Sequence, residues 1–265
     1  MVQPVGDLLR DWRRRRRMSQ LDLALEADIS PRHLSFLETG RSQPSREMVL
    51  NLAERLHVPL RERNLLLTAA GYAPVYPQRA IDDPALSAAR AAIDLVLKGH
   101  EPYPAIAVNR HWQMVAANGM IAPLLAGVDP ALLEPPVNVL RLSLHPEGLA
   151  PRIANLGEWR AHLLQRLRHQ VDLTADVILL DLLKELSAFP APALSRRPSP
   201  RPRNYGGVAV PLEFVTDSGV LTFISTTTVF GSPVDVTLSE LAIEAFFPAD
   251  AVTMAAIRAI AEQGD

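Results

Sequence analysis

The chain contains no cysteine, which excludes disulfide scaffolds, thiolate zinc sites, iron–sulfur clusters and cysteine nucleophiles. Lysine is nearly absent as well: Lys98 and Lys184 are the only two, so the 27 basic side chains are almost all arginine. No stretch of about 18 uninterrupted apolar residues occurs, which argues against a membrane-spanning helix. The first eleven residues read as the start of a helix, without the basic and then apolar regions of a signal peptide. These absences lead us to expect a soluble, cytoplasmic protein with no membrane partner. Catalytic signatures are missing too: there is no G-x-S-x-G elbow, P-loop, G-x-G-x-x-G or H-E-x-x-H. The seven histidines show no metal-ligand spacing with carboxylates. Neither an enzyme nor a bound cofactor or metal is expected.

What is present is enough for two domains. The 265 residues exceed the usual size of one domain, and 48% apolar with 21% charged residues is the composition of a globular chain. Charge is divided unevenly. Residues 1–80 carry 13 Arg against 9 Asp plus Glu, whereas the remainder carries 14 basic against 20 acidic residues. Five consecutive arginines, Arg13 to Arg17, sharpen the basic balance of the first part toward a polyanionic partner, although a solvated helix end explains most of the five equally well.

The first seventy residues read as five short helices. Val5, Leu8, Leu9 and Trp12 recur at i, i+3, i+4, i+7, one apolar stripe of a helix. Ser19 is placed to cap a second helix, with Asp22 three residues on and Met18 and Leu23 as a hydrophobic staple. Ser30 caps a third, with Pro31 in the first helical position and Ile29 and Leu34 repeating the staple. Two capped helices joined by about three residues make a helix-turn-helix. Gly40 stops the third helix, and Ser45 opens a fourth through Val49, Leu52, Ala53 and Leu56. A fifth runs from about Pro59 to Ala70 and ends at Gly71.

The stretch MSQLDLALEADISPRHLSFLETGRSQPSREMVLNLAERLHV resembles the lambda-repressor/Cro-like helix-turn-helix family, in its Ser-Gln opening, Glu-x-Gly-Arg close and Pro-Ser before the fourth helix. The resemblance spans Asp7 to about Ala70. It implies double-stranded operator DNA as partner, with the third helix in the major groove and the second bracing it. On the third helix Leu34 and Leu37 point inward, leaving Arg32, Ser35 and Phe36 outward and His33 on the flank as base-reading candidates. Arg32 can reach guanine O6 and N7 with two hydrogen bonds, and Phe36 can touch a thymine methyl or lie in the core. Gln20 matches the family's backbone-anchoring glutamine, and Arg41 and Ser45 match phosphate contacts. Arg16 and Arg17 complete the expected DNA-contacting set. Glu38 is expected to pair with Arg41 or a neighbouring helix. Self-cleaving repressors join a similar module to a Ser–Lys protease, but both lysines here fall in predicted helices, which leaves that dyad no home.

We place the DNA-binding domain over 1–73, a proline-containing linker over 74–84 and a second domain over 85–265. In the second part, strands are expected at 105–108, 113–116, 208–214 and 220–229, with helices at 84–98, from Asn118, at 157–169, at 174–187 and at 249–263; the run 241–247 fits a helix or a strand and is assigned as a strand. The proline- and arginine-rich stretch 190–203 reads as an exposed loop. This order is compatible with an α+β domain of a five-stranded antiparallel sheet and several helices, a PAS-like arrangement behind an all-α helix-turn-helix bundle, although the order alone does not settle the fold. The words WQMVAAN, NVLRLSLHPEGLAPRIANLGEWRAHLLQRLRHQ, YGGVAVPLEF and DVTLSELAIEAFFPAD resemble the ligand-binding domain of MmyB-like transcription regulators. That resemblance implies a sensor for a small apolar ligand, such as a fatty acid, and a regulator acting on DNA as a homodimer. An aliphatic interior with few aromatics suits a flexible acyl chain better than a flat ring. Its polar head is expected at Arg141 and His145, with Asn118 and Asn138 as further polar positions. Asn118 and Asn138 serve equally as helix caps, and Arg141 as a partner of Glu147 or Glu158. The alternative is a second domain that is a protein-docking module without ligand.

Overall fold

Helix α1 (Val5–Arg15) buries Leu9 and Trp12, two members of the stripe, and opens after Pro4 without a side-chain cap. In this computed structural model, which describes residues 3–190, 210–217, 219–231 and 235–262, the chain divides into two compact units. The first comprises Met1–Ala80 and Ser232–Ser239, and the second Ile81–Gly231 and Glu240–Asp265. The expected loop at 190–203 lies, apart from Pro190, outside the described residues. No helix among the described residues is long and apolar enough to cross a membrane.

In the first unit, serine caps start three of the helices. Ser19 accepts from the Asp22 N–H at 3.1 Å and its own N–H donates to the Asp22 carboxylate at 2.8 Å, opening α2 (Gln20–Glu26) with a reciprocal capping box. Ser30 opens α3 (Pro31–Glu38), accepting from His33 N–H, and Ser45 opens α4 (Arg46–Arg55), accepting from Met48 N–H. Each such cap stabilises a helix by about 1 kcal/mol. Helix α5 (Leu60–Ala69) completes the bundle. All five helices end in the same way. A residue with left-handed φ follows the C-cap, namely Arg17, Asp28, Gly40, His57 and Gly71, with φ between 47° and 86°. The next amide, of Met18, Ile29, Arg41, Val58 and Tyr72 respectively, then donates to the carbonyl five residues back. This is the Schellman bond, and it satisfies a carbonyl the helix leaves open.

The core of this unit is Leu9, Leu23, Leu34, Leu37, Leu52 and Leu67 with their neighbours. Gly6 lies so close to α3 that a methyl group there would collide with the carbonyl oxygens of Leu37 and Glu38. The unit also includes a segment far away in sequence, a short helix α10 (Val236–Ser239). Its preceding Asp235 is buried, receives Arg79 Nη1 at 2.9 Å and accepts from Thr237 N–H, while the Val236 N–H donates to the Pro77 carbonyl. The chain between the fourth and fifth strands thus belongs to the first unit, something no composition shift in the sequence announces.

The second unit is an antiparallel sheet of five strands in the order β2-β1-β5-β4-β3, formed by β1 (Ala105–Val108), β2 (Met114–Ala117), β3 (Leu212–Thr216), β4 (Gly219–Val229) and β5 (Ala242–Pro248). The last strand in sequence is central in space. Its Glu244 sits opposite Ile106 of β1 and Thr227 of β4, and Phe246 opposite Ser225. Since side chains alternate along a strand, Glu244 and Phe246 share one face. Helices α6 (Ser87–Gly99), α7 (Val139–Leu144), α8 (Leu156–Thr174), α9 (Val177–Ala188) and α11 (Ala251–Glu262) accompany the sheet. Helix α8 buries Trp159, Leu163, Leu164 and Leu167, and α9 buries Leu179, Leu182 and Leu186. Ala175, at φ 53°, ends α8, and Asp176 caps α9. The helix expected from Asn118 is reduced to a single 3₁₀ segment, Ala122–Leu125, because Pro123 forbids a longer run after Gly119.

Candidate nucleic-acid interface and ligand cavity

Helix α3 turns Leu34 and Leu37 into the core and leaves Arg32 exposed, with His33, Ser35 and Phe36 half-buried. The Phe36 ring neither enters the core cluster nor stands free. Arg32 lies 5.4 Å from its centroid and Arg41 5.9 Å, so two guanidinium groups share one aromatic support. The backbone reinforces the pairing, since the amides of Arg41 and Ser42 both donate to the Phe36 carbonyl. Among the described residues neither Arg32 nor Arg41 has an ion-pair partner, which leaves both cations available. Ser45 is exposed at the start of α4 with its hydroxyl oxygen occupied by the cap.

The arginine run divides into two kinds of side chain. Arg13 is buried against Glu38, and Arg16 donates from Nε to the Leu56 carbonyl at 2.8 Å and from Nη2 to that of His57 at 3.1 Å, closing the end of α4. Burial, with the charge of Arg15, lowers the proton affinity of Arg16 below the ordinary arginine value. Arg14, Arg15 and Arg17 are exposed. Gln20, expected on the DNA backbone, donates from Nε2 to Glu38 at 2.8 Å. Glu38 therefore finds its partners on α1 and α2.

The second unit contains a cavity of about 120 Å³ between the sheet and its helices, walled by aliphatic and aromatic side chains such as Ile106, Met114, Leu140, Leu163, Phe214 and Phe223. Trp112 and Trp159 also line it, and the Trp159 indole N–H donates to Ser143 Oγ at 3.0 Å. One end is polar. Arg166 of α8 donates from Nη2 to Glu244 Oε1 at 2.6 Å and from Nη1 to Oε2 at 3.1 Å, and its guanidinium stacks 4.6 Å from the Trp112 ring centroid. Thr227 Oγ1 accepts from Arg166 at 2.6 Å and donates to Glu244 at 2.9 Å. Glu244 is only 4% exposed, so a carboxylate on the central strand is held beside an apolar void by a neutralising cation.

The four polar residues expected at the ligand head lie elsewhere. Asn118 Oδ1 accepts from Ala105 N–H, and its Nδ2 donates to the carbonyls of Leu97 and Tyr103. Asn138 caps α7 through Arg141 N–H and donates to the His111 carbonyl. Arg141 grips Glu185 through Nε and Nη2 at 2.5 and 2.8 Å. His145 Nδ1 accepts from Glu147 N–H, and its ring meets Phe189 edge-on. None of the four is among the described residues that line the cavity. The polar residues that do were passed over in the sequence, although one signal was there: Glu244 is a carboxylate in the middle of the apolar run 241–247.

Residues 89–260 match the family model described as the MmyB-like transcription regulator ligand binding domain, and residues 9–63 match the helix-turn-helix family model. No curated protein matches the chain.

Proposed function

The chain belongs to the MmyB-like transcription regulators, and we propose that it reads an operator through α3 and changes its DNA occupancy when an aliphatic ligand enters the second unit. Arg32 is the principal base reader, donating to guanine in the major groove, with Ser35 and His33 beside it and Phe36 holding Arg32 and Arg41. Arg41, Arg17 and the backbone around Ser45 meet phosphates, whereas Gln20 and Arg16 brace the helices that present them. The observation that carries this reading is a pair of guanidinium groups, without ion-pair partners among the described residues, on the exposed side of a helix whose leucines are fixed in the core.

The ligand is a fatty acyl chain or a similar aliphatic molecule. The cavity is close in size to the engineered void of about 150 Å³ that takes up benzene. A long chain therefore parts the leucines of the wall. Each methylene it buries contributes roughly 0.8 kcal/mol, so a short acyl chain already suffices for useful affinity. Binding acts on transcription by favouring one arrangement of a homodimer on a palindromic site over another, since equal affinity for both shifts nothing. The protein carries out no catalysis.

The test is binding to DNA from its own promoter region, measured with purified protein before and after removal of bound lipid, alongside denaturing mass spectrometry for a co-purifying acyl species. An acyl species whose removal changes operator affinity supports the sensor. An empty second unit indifferent to added aliphatic compounds overturns it in favour of a docking module.

A further inference from the structure

The polar end of the cavity has a property that sets the head group of its ligand. Among the described residues that line it, the one cation is Arg166, already neutralised by two hydrogen bonds to Glu244, and Thr227 closes the triangle. Glu244 lies on the central strand and is buried, so it cannot swing into solvent to release the guanidinium. A ligand carboxylate arriving there meets a paired cation and a fixed negative charge. Its desolvation cost is not offset, and the two carboxylates repel each other. A ligand ammonium meets the mirror problem with Arg166. A head group that is uncharged and both donates and accepts a hydrogen bond suits the corner. Its donor reaches a remaining lone pair of the Glu244 carboxylate, and its acceptor faces Arg166 or the Ser225 hydroxyl, which also lines the cavity.

We infer that the second unit selects aliphatic ligands whose head group is a neutral hydrogen-bonding group, such as a hydroxyl or an amide, over aliphatic ions. This rests on the reading of the cavity as the ligand site. Trp112 and Trp159 line that cavity and report on its occupancy, whereas Trp12, the third tryptophan, lies in the other unit.

The experiment titrates the full chain at pH 7.5 with octan-1-ol, sodium octanoate and octylammonium chloride, three probes sharing one eight-carbon tail. Tryptophan emission and calorimetry give the dissociation constants. The alcohol is expected to bind at least tenfold more tightly than either ion. In Glu244→Gln the cation is released and the charged acceptor of the hydroxyl is lost, so octanoate tightens by tenfold or more, octanol weakens, and the preference between them reverses. Octanoate or octylammonium binding as tightly as octanol, or more tightly, in the unaltered protein overturns the inference whether or not the variant folds. Binding of none of the three probes overturns instead the cavity reading on which it stands.

Discussion

Arg13 and Glu38, 25 positions apart, close a two-point salt bridge that ties α1 to the last turn of α3. Nε reaches Oε1 at 2.6 Å and Nη2 reaches Oε2 at 2.8 Å. The remaining nitrogen, Nη1, donates to the Met18 carbonyl, and Gln20 adds a further bond to Glu38. The hydrogen bond to Glu38 raises the proton affinity of Arg13 against the opposing effect of burial. The pair fixes the end of the helix whose other face carries Arg32.

Arg13→Ala leaves the Glu38 carboxylate, 1% exposed, with Gln20 as its main partner. Removing one member of a buried pair costs about 3–5 kcal/mol. Calorimetry is expected to show the first unit melting well below its own temperature in the unaltered protein, and operator affinity falling in parallel with the folded fraction.

Arg32→Ala is expected to lower the preference for operator over scrambled DNA by about 5- to 150-fold per contact, because a bidentate guanine contact is worth about 1–3 kcal/mol of discrimination. Replacing the exposed Arg14, Arg15 and Arg17 by Gln is expected to weaken operator and scrambled DNA alike. It also lowers the slope of log affinity against log salt by about 0.9 for each phosphate that no longer meets a guanidinium. Fluorescence anisotropy across a potassium chloride series separates the two, and unchanged specificity in Arg32→Ala sinks the assignment of the reading residue.

Gly6→Ala drives a methyl group into the carbonyls of Leu37 and Glu38. Overpacking of this kind costs roughly 1–3 kcal/mol, and relief requires α1 and α3 to move apart. A urea titration is expected to show the loss of stability, and a normal midpoint would mean the helices are less closely packed than described.

Asp176 supplies a pH dependence to the second unit. Its burial opposes ionisation, but hydrogen bonds from His111 and the Ile178 N–H, with the charge of Arg110, outweigh that and hold its carboxyl below the ordinary value of 3.8. A depressed carboxylate contributes stability that is present above its unfolded value and lost as pH falls through the folded one. Asp176→Asn is therefore expected to lower the melting temperature of this unit at pH 7 by a few degrees, at roughly 2–4 °C per kcal/mol. The difference between variant and unaltered protein narrows as pH falls toward 3, and a gap that stays constant would exclude the linkage.

The helix starts were legible because serine followed by a helical stripe states its role locally: Ser19, Ser30 and Ser45 cap the helices their positions announce. Only two of the five left-handed endings were legible, at Gly40 and Gly71. Arg17, Asp28 and His57 adopt the same conformation, each followed by a residue, Met18, Ile29 or Val58, that packs on the core of the unit. Arg13, Arg16 and Gln20 show the same limit. In the sequence they belong with the other polar residues of a basic module, yet the bundle turns them toward Glu38 and the end of α4.

Local pattern was enough to specify the helix-turn-helix, four of the strands and the aliphatic character of the second unit, because caps, periodicity and composition act between residues close along the chain, whereas the run 241–247 suits a helix or a strand until it pairs in the sheet. Which polar groups meet the cavity was settled at longer range, by the folding of the sheet. Arg166 and Glu244 are 78 positions apart and come together only because the last strand inserts between the first and the fourth, a pairing that side-chain alternation converts into a charged pair beside an apolar void.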